Sequence, residues 1–353
     1  MAPFAGPFRV KLHPVVSSTK KSTTLRPPAP PAAAVTRRGR GSSIPPALGK
    51  PDAQAASGTA GGTIAFLGLG AMGRPMAARL VEAGFDVHVY NRSRGPERAL
   101  TKLGATACPT PGECARGADV VITMLSDAEA LATVLEGPDG VLATFAREKR
   151  SPRPVLVDMS TMGRGAAVAA GRRAEKHGAR FVDAPVSGSV RPAGAGELVA
   201  LVGGSIRSVE RVRPVLSVLC KRIIHAGGIG QGQALKVVLN GVGAHHLVAF
   251  TSMLALGERA GLARDVLLQA FTTGAFATPS YVGKREKLLA RDYVADFALA
   301  LALKDCALNT ALQDEVGLRL PVHRAIVADV EAGVKAGLGD LDLFALEKHY
   351  TGE

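Results

Sequence analysis

Tryptophan is missing from this 353-residue sequence, and aromatic residues reach only 4%. A surface that stacks nucleic-acid bases on aromatic rings is therefore not expected, and no nucleic-acid partner is inferred. Cysteine is sparse: Cys108, Cys114, Cys220 and Cys306 form no CxxC pair. They read as free thiols of a reducing compartment, not as a disulfide frame or a zinc site. The eight histidines show no HxxxH or HExxH spacing, so no metal is expected. His245 and His246 are adjacent in an apolar helical stretch, point in different directions, and read as core or interface residues. No GxSxG and no Cys–His arrangement suggests covalent hydrolysis. An unbroken run of 18 apolar residues is also lacking, which argues against a membrane span.

Acid is what the first 60 residues lack. They hold nine Lys and Arg against a single acid, Asp52, and no Glu. The remainder has 34 basic and 29 acidic residues, so most of the net charge of +13 belongs to this leader. Ser, Thr, Pro, Ala and Arg dominate it, without the apolar core of a secretory signal. Residues 1–60 read as an organelle transit peptide. Pro27 to Pro31 break any long amphipathic helix and favour chloroplast over mitochondrion. The alternative is a disordered basic arm for acidic partners.

From residue 61 the chain has an ordinary globular composition, and short apolar runs alternate with helical stretches. Expected strands are Thr63–Leu67, Asp86–Tyr90, Gly104–Ala107, Ala118–Leu125, Pro154–Asp158, Arg180–Ala184 and Leu198–Val202, the last two completing the sheet. Helices are expected between them, one capped by Ser126-Asp127 and one over Gly165–His177. This βαβα alternation predicts an α/β, Rossmann-type doubly wound parallel sheet over residues 61–227. After Gly230 the pattern turns helical. Gln231–Ala260 is apolar nearly all round, and reads as a long buried helix leading into an all-α domain, 228–353. Further helices are expected at Arg264–Phe271, Ser280–Leu289, Phe297–Val316 and Val322–Ala336.

Between the first strand and its helix stand Gly68, Leu69, Gly70, Ala71, Met72 and Gly73. In this context GxGxxG is a dinucleotide signature. Gly68 makes the tight turn, Gly70 lets backbone approach a pyrophosphate, and Gly73 lets the helix pack on its strand. The helix N-terminus offers N–H groups to phosphate. An NAD-selective site carries an acid at the end of the second strand, about 20 residues on. Here Asn91, Arg92 and Ser93 follow Tyr90, with Arg92 suited to a 2′-phosphate, so the expected cofactor is NADP(H).

Lys236 lies among Leu235, Val237 and Val238, with Asn240 four residues on and Gly232 four before, all on one helix face. A lysine there donates a proton to a carbonyl oxygen as hydride arrives, or else pairs structurally with a carboxylate. Ser187 and Gly188 end a strand in a turn that can hold a substrate carboxylate, or is only a turn. Lys304 and Asp305 are a charged pair in an apolar helix. Adjacent helix residues do not face each other, so each needs its own partner.

Four stretches, Phe66–Gly73, Asp183–Gly188, Gly230 to Asn240 through Lys236, and Lys304-Asp305, resemble the motifs of the β-hydroxyacid dehydrogenases, in family order over residues 62–345. The resemblance implies an oxidoreductase with Lys236 as catalytic lysine. It puts Ser187, Gly188 and Asn240 on the substrate, with Phe297 and Asp305 lining the site. It puts Met124, Leu125 and Ser126 along the cofactor, Thr161 near its nicotinamide and Lys304 against it. Met124–Asp127, Pro185–Ala193 and Gly337–Asp342 look closest to plant-type glyoxylate/succinic semialdehyde reductases. That implies NADPH-dependent reduction of small aldehyde acids by a homo-oligomer, dimer or tetramer. A 3-hydroxyisobutyrate dehydrogenase working oxidatively with NAD is the alternative within the family, and a non-catalytic NADP-binding interaction protein the alternative outside it. The stretch after Asn240 (Gly241–His246) and Gly274–Pro279 depart from the reductases' pattern, which bears on substrate choice.

Overall fold

The structure, a computed structural model, describes residues 62–352; the expected leader, 1–60, lies outside the described residues. The first half alternates β1 (Thr63–Leu67), α1 (Gly73–Glu82), β2 (Asp86–Tyr90), α2 (Glu97–Lys102), β3 (Thr106–Ala107), α3 (Pro111–Ala115) and β4 (Val120–Thr123). There follow α4 (Ala128–Leu135), α5 (Val141–Glu148), β5 (Val155–Asp158), α6 (Arg164–Lys176) and β6 (Arg180–Asp183). Apolar residues of β1 divide by parity: Ile64 and Phe66 join the core on one face, Ala65 and Leu67 that on the other. This is the period of two of a strand covered on both sides. Strands β1 to β6 pair in parallel in the order β3-β2-β1-β4-β5-β6. The order reverses between β1 and β4, so a crevice opens at the carboxyl ends of those two strands.

Beyond β6 the sheet includes the expected strand at Leu198, and adds two strands the sequence did not suggest. It continues through β7 (Val186–Ser187), α7 (Val190–Ala195), β8 (Leu198–Gly203), α8 (Ile206–Leu219) and β9 (Cys220–Gly227). Strand β8 runs antiparallel to β6 and β7, and β9 runs parallel to β8. The all-parallel expectation therefore holds for six strands and is corrected at this edge. The edge is hard to read because β7 is two residues long and β9 carries Lys221 and Arg222 exposed.

Helix α9 (Gln231–Arg259) runs through the middle of the second half, touching β8, α6, and then α10 (Arg264–Thr273), α12 (Leu299–Val316), α13 (Pro321–Gly333) and α14 (Leu346–Thr351). Helix α11 (Pro279–Leu289) packs on α10, and Phe297 precedes α12 instead of starting it. By length and composition alone α9 is apolar enough to cross a membrane. It is not buried on every side, which corrects the sequence expectation. Val238, Val242, Met253 and Leu256 are 49–60% exposed. Its buried face (Val237, Ala244, Leu247, Phe250, Leu254) already satisfies the helical core.

The start of α9 is fastened to the sheet by two buried carboxyls. Asp183, at the end of β6, accepts the N–H groups of Gly230 (2.7 Å) and Gln233 (2.8 Å). It thereby caps the positive end of a 29-residue helix. Gln233, itself fully buried, accepts from Met162 and Gly163 N–H and donates to the Ser160 carbonyl (2.7 Å). Asp158 takes hydroxyl bonds from Thr123 (2.7 Å) and Ser160 (2.8 Å). Burial pushes Asp158 up to about 7 and Asp183 up to about 6, with their mutual repulsion adding to the first.

A carboxyl whose pKa is raised in the fold keeps its proton at a pH where the unfolded chain has released it. Its contribution to stability is full below the unfolded value and falls as pH climbs from about 4 to about 7. Asp158→Asn cannot ionise. Chemical denaturation across that window should show the Asn variant gaining on the wild type as pH rises. A constant offset between the two would mean that Asp158 ionises like an exposed carboxylate.

Candidate active site

The crevice at the β1/β4 switch is a cavity of ≈ 320 Å³, lined by Gly68, Gly70, Asn91, Arg92, Ser93 and the Met124–Ser126 turn, among others. Gly68 has φ +103, and a Cβ there would lie 2.3 Å from the Met124 carbonyl oxygen. A Cβ on Gly73 would lie 1.9 Å from the Gly68 carbonyl oxygen, so α1 must begin with glycine. Gly70 differs, with nothing within 4 Å of its would-be Cβ. Its smallness answers to no neighbour in the chain, and leaves the loop open to a ligand. That is the fit expected of a pyrophosphate cradle at a helix N-terminus.

Not every residue of the glycine motif faces that cavity. Leu69 is 3% exposed, and its N–H donates to the Asn91 side-chain oxygen (2.9 Å). Asn91 also bonds the Ser93 carbonyl (2.8 Å), so it braces the end of β2 against the glycine turn. Met72 packs on the sheet core, and Ala71 and Gly73 lie outside the cavity wall. Arg92 is exposed on the wall with no ion-pair partner among the described residues. Neighbouring Arg94, by contrast, is held by the Cys108 and Pro109 carbonyls.

A second cavity of ≈ 380 Å³ lies where the helical half meets the sheet edge, and Ser187, Gly188, Lys236, Asn240, Phe297 and Asp305 all line it. Lys236 sits one turn above Gln233, so the Asp183 cap sets its height. Among the described residues no carboxylate comes within ion-pair distance of it. Burial lowers its pKa, Asp305 opposes that, and Lys304 adds to it. Asp305, 9% exposed, accepts from the Asn240 amide (2.7 Å), while its Oδ1 is buried without a hydrogen bond. Burial raises its pKa, against the pull of Lys304, Lys236 and Asn240. The helices α9 and α12 are locked by Asn309, whose amide donates to the Val237 carbonyl (3.2 Å) and leaves no room for a side chain at Gly241.

Lys304 turns the other way along most of its length, yet its Nζ stays 3.9 Å from Asp305 Oδ1, so the expectation that each of the two has only its own partner is corrected to a distant ion pair between them. Its ammonium donates to the carbonyls of Ser126 and Thr161, both at 3.2 Å, joining α12 to two loops at the carboxyl edge of the sheet. Lys304 and Thr161 line neither cavity, but Lys304 bonds Ser126 of the crevice wall and is followed by Asp305 of the cleft wall.

Sequence reasoning missed the supports Asp158, Ser160, Asp183 and Gln233, and the cleft residues Ser189, His246, Thr278 and Tyr281. Counting on from Lys236 by three and four reaches Asn240, Gly243 and Leu247, which was an available signal for the wall. His246 is corrected from core residue to cleft wall, whereas His245 stacks on buried His323 at 5.7 Å. Four free cysteines are buried, and among the described residues no cluster of His, Cys, Asp and Glu has the makings of a metal site.

Known proteins match along nearly the whole described chain. Residues 63–228 match the family model for the NAD binding domain of 6-phosphogluconate dehydrogenase. Residues 230–350 match that for NAD-binding of NADP-dependent 3-hydroxyisobutyrate dehydrogenase. Glyoxylate/succinic semialdehyde reductase 1 of Arabidopsis thaliana is 34% identical over 283 residues, 80% of this chain and 96% of the relative. The 3-hydroxyisobutyrate dehydrogenase of Pseudomonas aeruginosa is 33% identical over 82% of this chain and 99% of its own length. The solved 3-hydroxyisobutyrate dehydrogenase of Mycobacterium tuberculosis with L-serine superposes with a TM-score of 0.72 at 32% identity, covering 82% of this chain and 99% of that one.

Two glycines separate support from binding. Gly73→Ala forces a methyl group onto a backbone oxygen and should cost about 1–3 kcal/mol of stability, as overpacking does. Gly70→Ala should leave the melting temperature unchanged and weaken dinucleotide binding about tenfold or more, read by calorimetric titration. Equal destabilisation by both substitutions would remove the argument that Gly70 is kept small for a ligand.

Proposed function

The chain belongs to the β-hydroxyacid dehydrogenase family, and on that footing we propose that it reduces small aldehyde acids with NADPH. Glyoxylate to glycolate and succinic semialdehyde to 4-hydroxybutyrate are the leading reactions. The observation that carries this reading is Lys236: a cation without an ion-pair partner among the described residues, its pKa lowered by burial, on the wall of a cleft that also offers Ser187, Gly188 and Asn240.

The glycine turn, Arg92, Ser93 and the Met124–Ser126 loop would hold the dinucleotide. When bound, its nicotinamide supplies hydride to the carbonyl carbon. Lys236 donates the proton that the resulting alkoxide needs, and its lowered pKa brings that transfer closer to neutral pH. Ser187 and the Gly188 N–H take the substrate carboxylate. Asn240 spends one amide hydrogen on Asp305 and keeps the other for substrate. Asp305 offsets part of the burial that would otherwise strip Lys236 of its charge. Phe297, Leu247 and Phe344 exclude water from the cleft.

NADPH is preferred to NADH in this reading because β2 ends in Asn91-Arg92-Ser93 with no acid to hold a ribose 2′-hydroxyl, and Arg92 is free to pair with a 2′-phosphate. The resemblance to the Mycobacterium tuberculosis structure favours a second reading, oxidation of 3-hydroxyisobutyrate with NAD. The leader, 1–60, is proposed to direct the chain to an organelle, chloroplast ahead of mitochondrion. Exposed apolar residues on α9 support a homo-oligomer, and no nucleic-acid or membrane partner is proposed.

Initial rates of the chain from residue 61 onward decide between the readings. Fast NADPH oxidation with glyoxylate and succinic semialdehyde, with kcat reduced about 10²- to 10⁴-fold in Lys236→Ala, is the expected result. Arg92→Ala should raise KM for NADPH and leave KM for NADH alone. Turnover confined to 3-hydroxyisobutyrate and NAD would overturn both the substrate and the cofactor assignments. N-terminal sequencing of the mature protein tests the leader: a start near residue 61 is expected, and an intact Met1 or Ala2 would refute removal.

A further inference from the structure

The cleft that holds Lys236 shares part of its far wall with a second cavity. His246, Thr278 and Tyr281 line it, and the same three residues line an adjoining chamber of ≈ 280 Å³. The rest of that chamber is Ala249, Phe250, Met253, Phe271 and Phe276, apolar throughout. Phe250 and Tyr281 form a buried floor, their rings 4.3 Å apart, with Phe271 edge-on to Phe250 at 5.2 Å. Met253 and Phe276 stand 50% and 88% exposed around it.

The shared partition offers little that an apolar chain would strip of a hydrogen bond. The Tyr281 hydroxyl already donates to the His246 carbonyl (2.9 Å), and the Thr278 hydroxyl accepts the Tyr281 N–H (3.3 Å). Along α9 the lining residues recur at helical spacing, from Lys236 and Asn240 through Gly243 and His246 to Phe250 and Met253. Cleft and chamber are therefore one strip of the same helix, polar at its start and apolar at its end.

We propose that the chamber is a subsite for the apolar end of an elongated substrate: a carbonyl acid whose polar head is held at Ser187, Lys236 and Asn240, and whose alkyl or aromatic tail passes over the partition of His246, Thr278 and Tyr281. This rests on the cleft being the reducing site. It widens the substrate class from the smallest aldehyde acids to amphipathic ones. The ten residues from Asn240 to Phe250 rise ~15 Å, so an alkyl tail must reach about ten to twelve carbons to fill the chamber. A chain fixed at one end in the cleft is the occupant that the shared wall and the common strip of α9 favour over a second copy of the protein.

The test is calorimetric titration of the NADP⁺-bound protein with straight-chain 2-hydroxy acids from butanoate to tetradecanoate. Affinity should be nearly flat for the short acids, then rise roughly three- to fourfold for each methylene that enters the chamber. Ala249→Phe, which fills the chamber from outside the cleft, should abolish that rise and leave kcat/KM for glyoxylate within about twofold. An affinity that is flat or falling over the whole series overturns the subsite. So does a rise that survives Ala249→Phe. A flat series together with dissociation of an oligomer by Ala249→Phe, seen in sedimentation velocity, would assign the chamber to an interface between copies. Glyoxylate turnover is read separately: its absence with a rising series removes the smallest aldehyde acids as substrates and leaves the subsite standing, and its presence with a flat series overturns the subsite and leaves the reductase reading.

Discussion

One buried carboxyl, Asp183, sets where everything else can be. It closes β6, accepts two N–H groups from the first turn of α9, and so couples the end of a strand to the start of the longest helix. A Cβ at Gly203 or Gly232 would come within 2.5 and 2.8 Å of its oxygens, so both positions serve this contact. Burying a carboxyl is costly without donors aimed at it. Here the donors belong to a helix terminus, whose own unpaired N–H groups need an acceptor just as much. Lys236 follows one turn later, placed by a cap and not by any partner of its own.

The second constraint is the crossing of α9 and α12. Neighbours in sequence, Lys304 and Asp305 are sent to opposite tasks by helix geometry. Asp305 faces the cleft and fixes Asn240, while Lys304 reaches the carbonyls of two sheet-edge loops. The electrostatics of the two cavities are thus joined through a single helical turn. Lys304 lowers the pKa of Lys236, and Asp305 raises it.

Much of this was legible in the sequence because local chemistry and tertiary need agreed. The glycine turn, the apolar strands β4 and β5, and the span of α9 each follow from residues within one element. Ser187, Lys236, Asn240 and Asp305 come together in one cleft from three separate stretches of sequence. What stayed hidden depends on distance in sequence. Asp158 and Gln233 look unremarkable until strand ends and a helix start meet around them. The reversed direction of β8 escaped notice because the strand before it, β7, is only two residues long, and β9 was missed because it shows charged side chains to solvent. The exposure of α9 was misjudged because composition counts apolar residues without saying which face has neighbours. The stretches Gly241–His246 and Gly274–Pro279 departed from the reductases' pattern, and they supply His246, Phe276 and Thr278 to the cleft and chamber walls.

The two bonds of Lys304 also have a mechanical meaning. The chain passes from sheet to helices at the Asp183 cap, which is covalently continuous and buried, and therefore acts as a pivot. Lys304 adds a second tie between the halves, two bonds to loop carbonyls that are weakened by the partial exposure of its side chain. Any separation of the two halves about that cap has to break both bonds of Lys304 first.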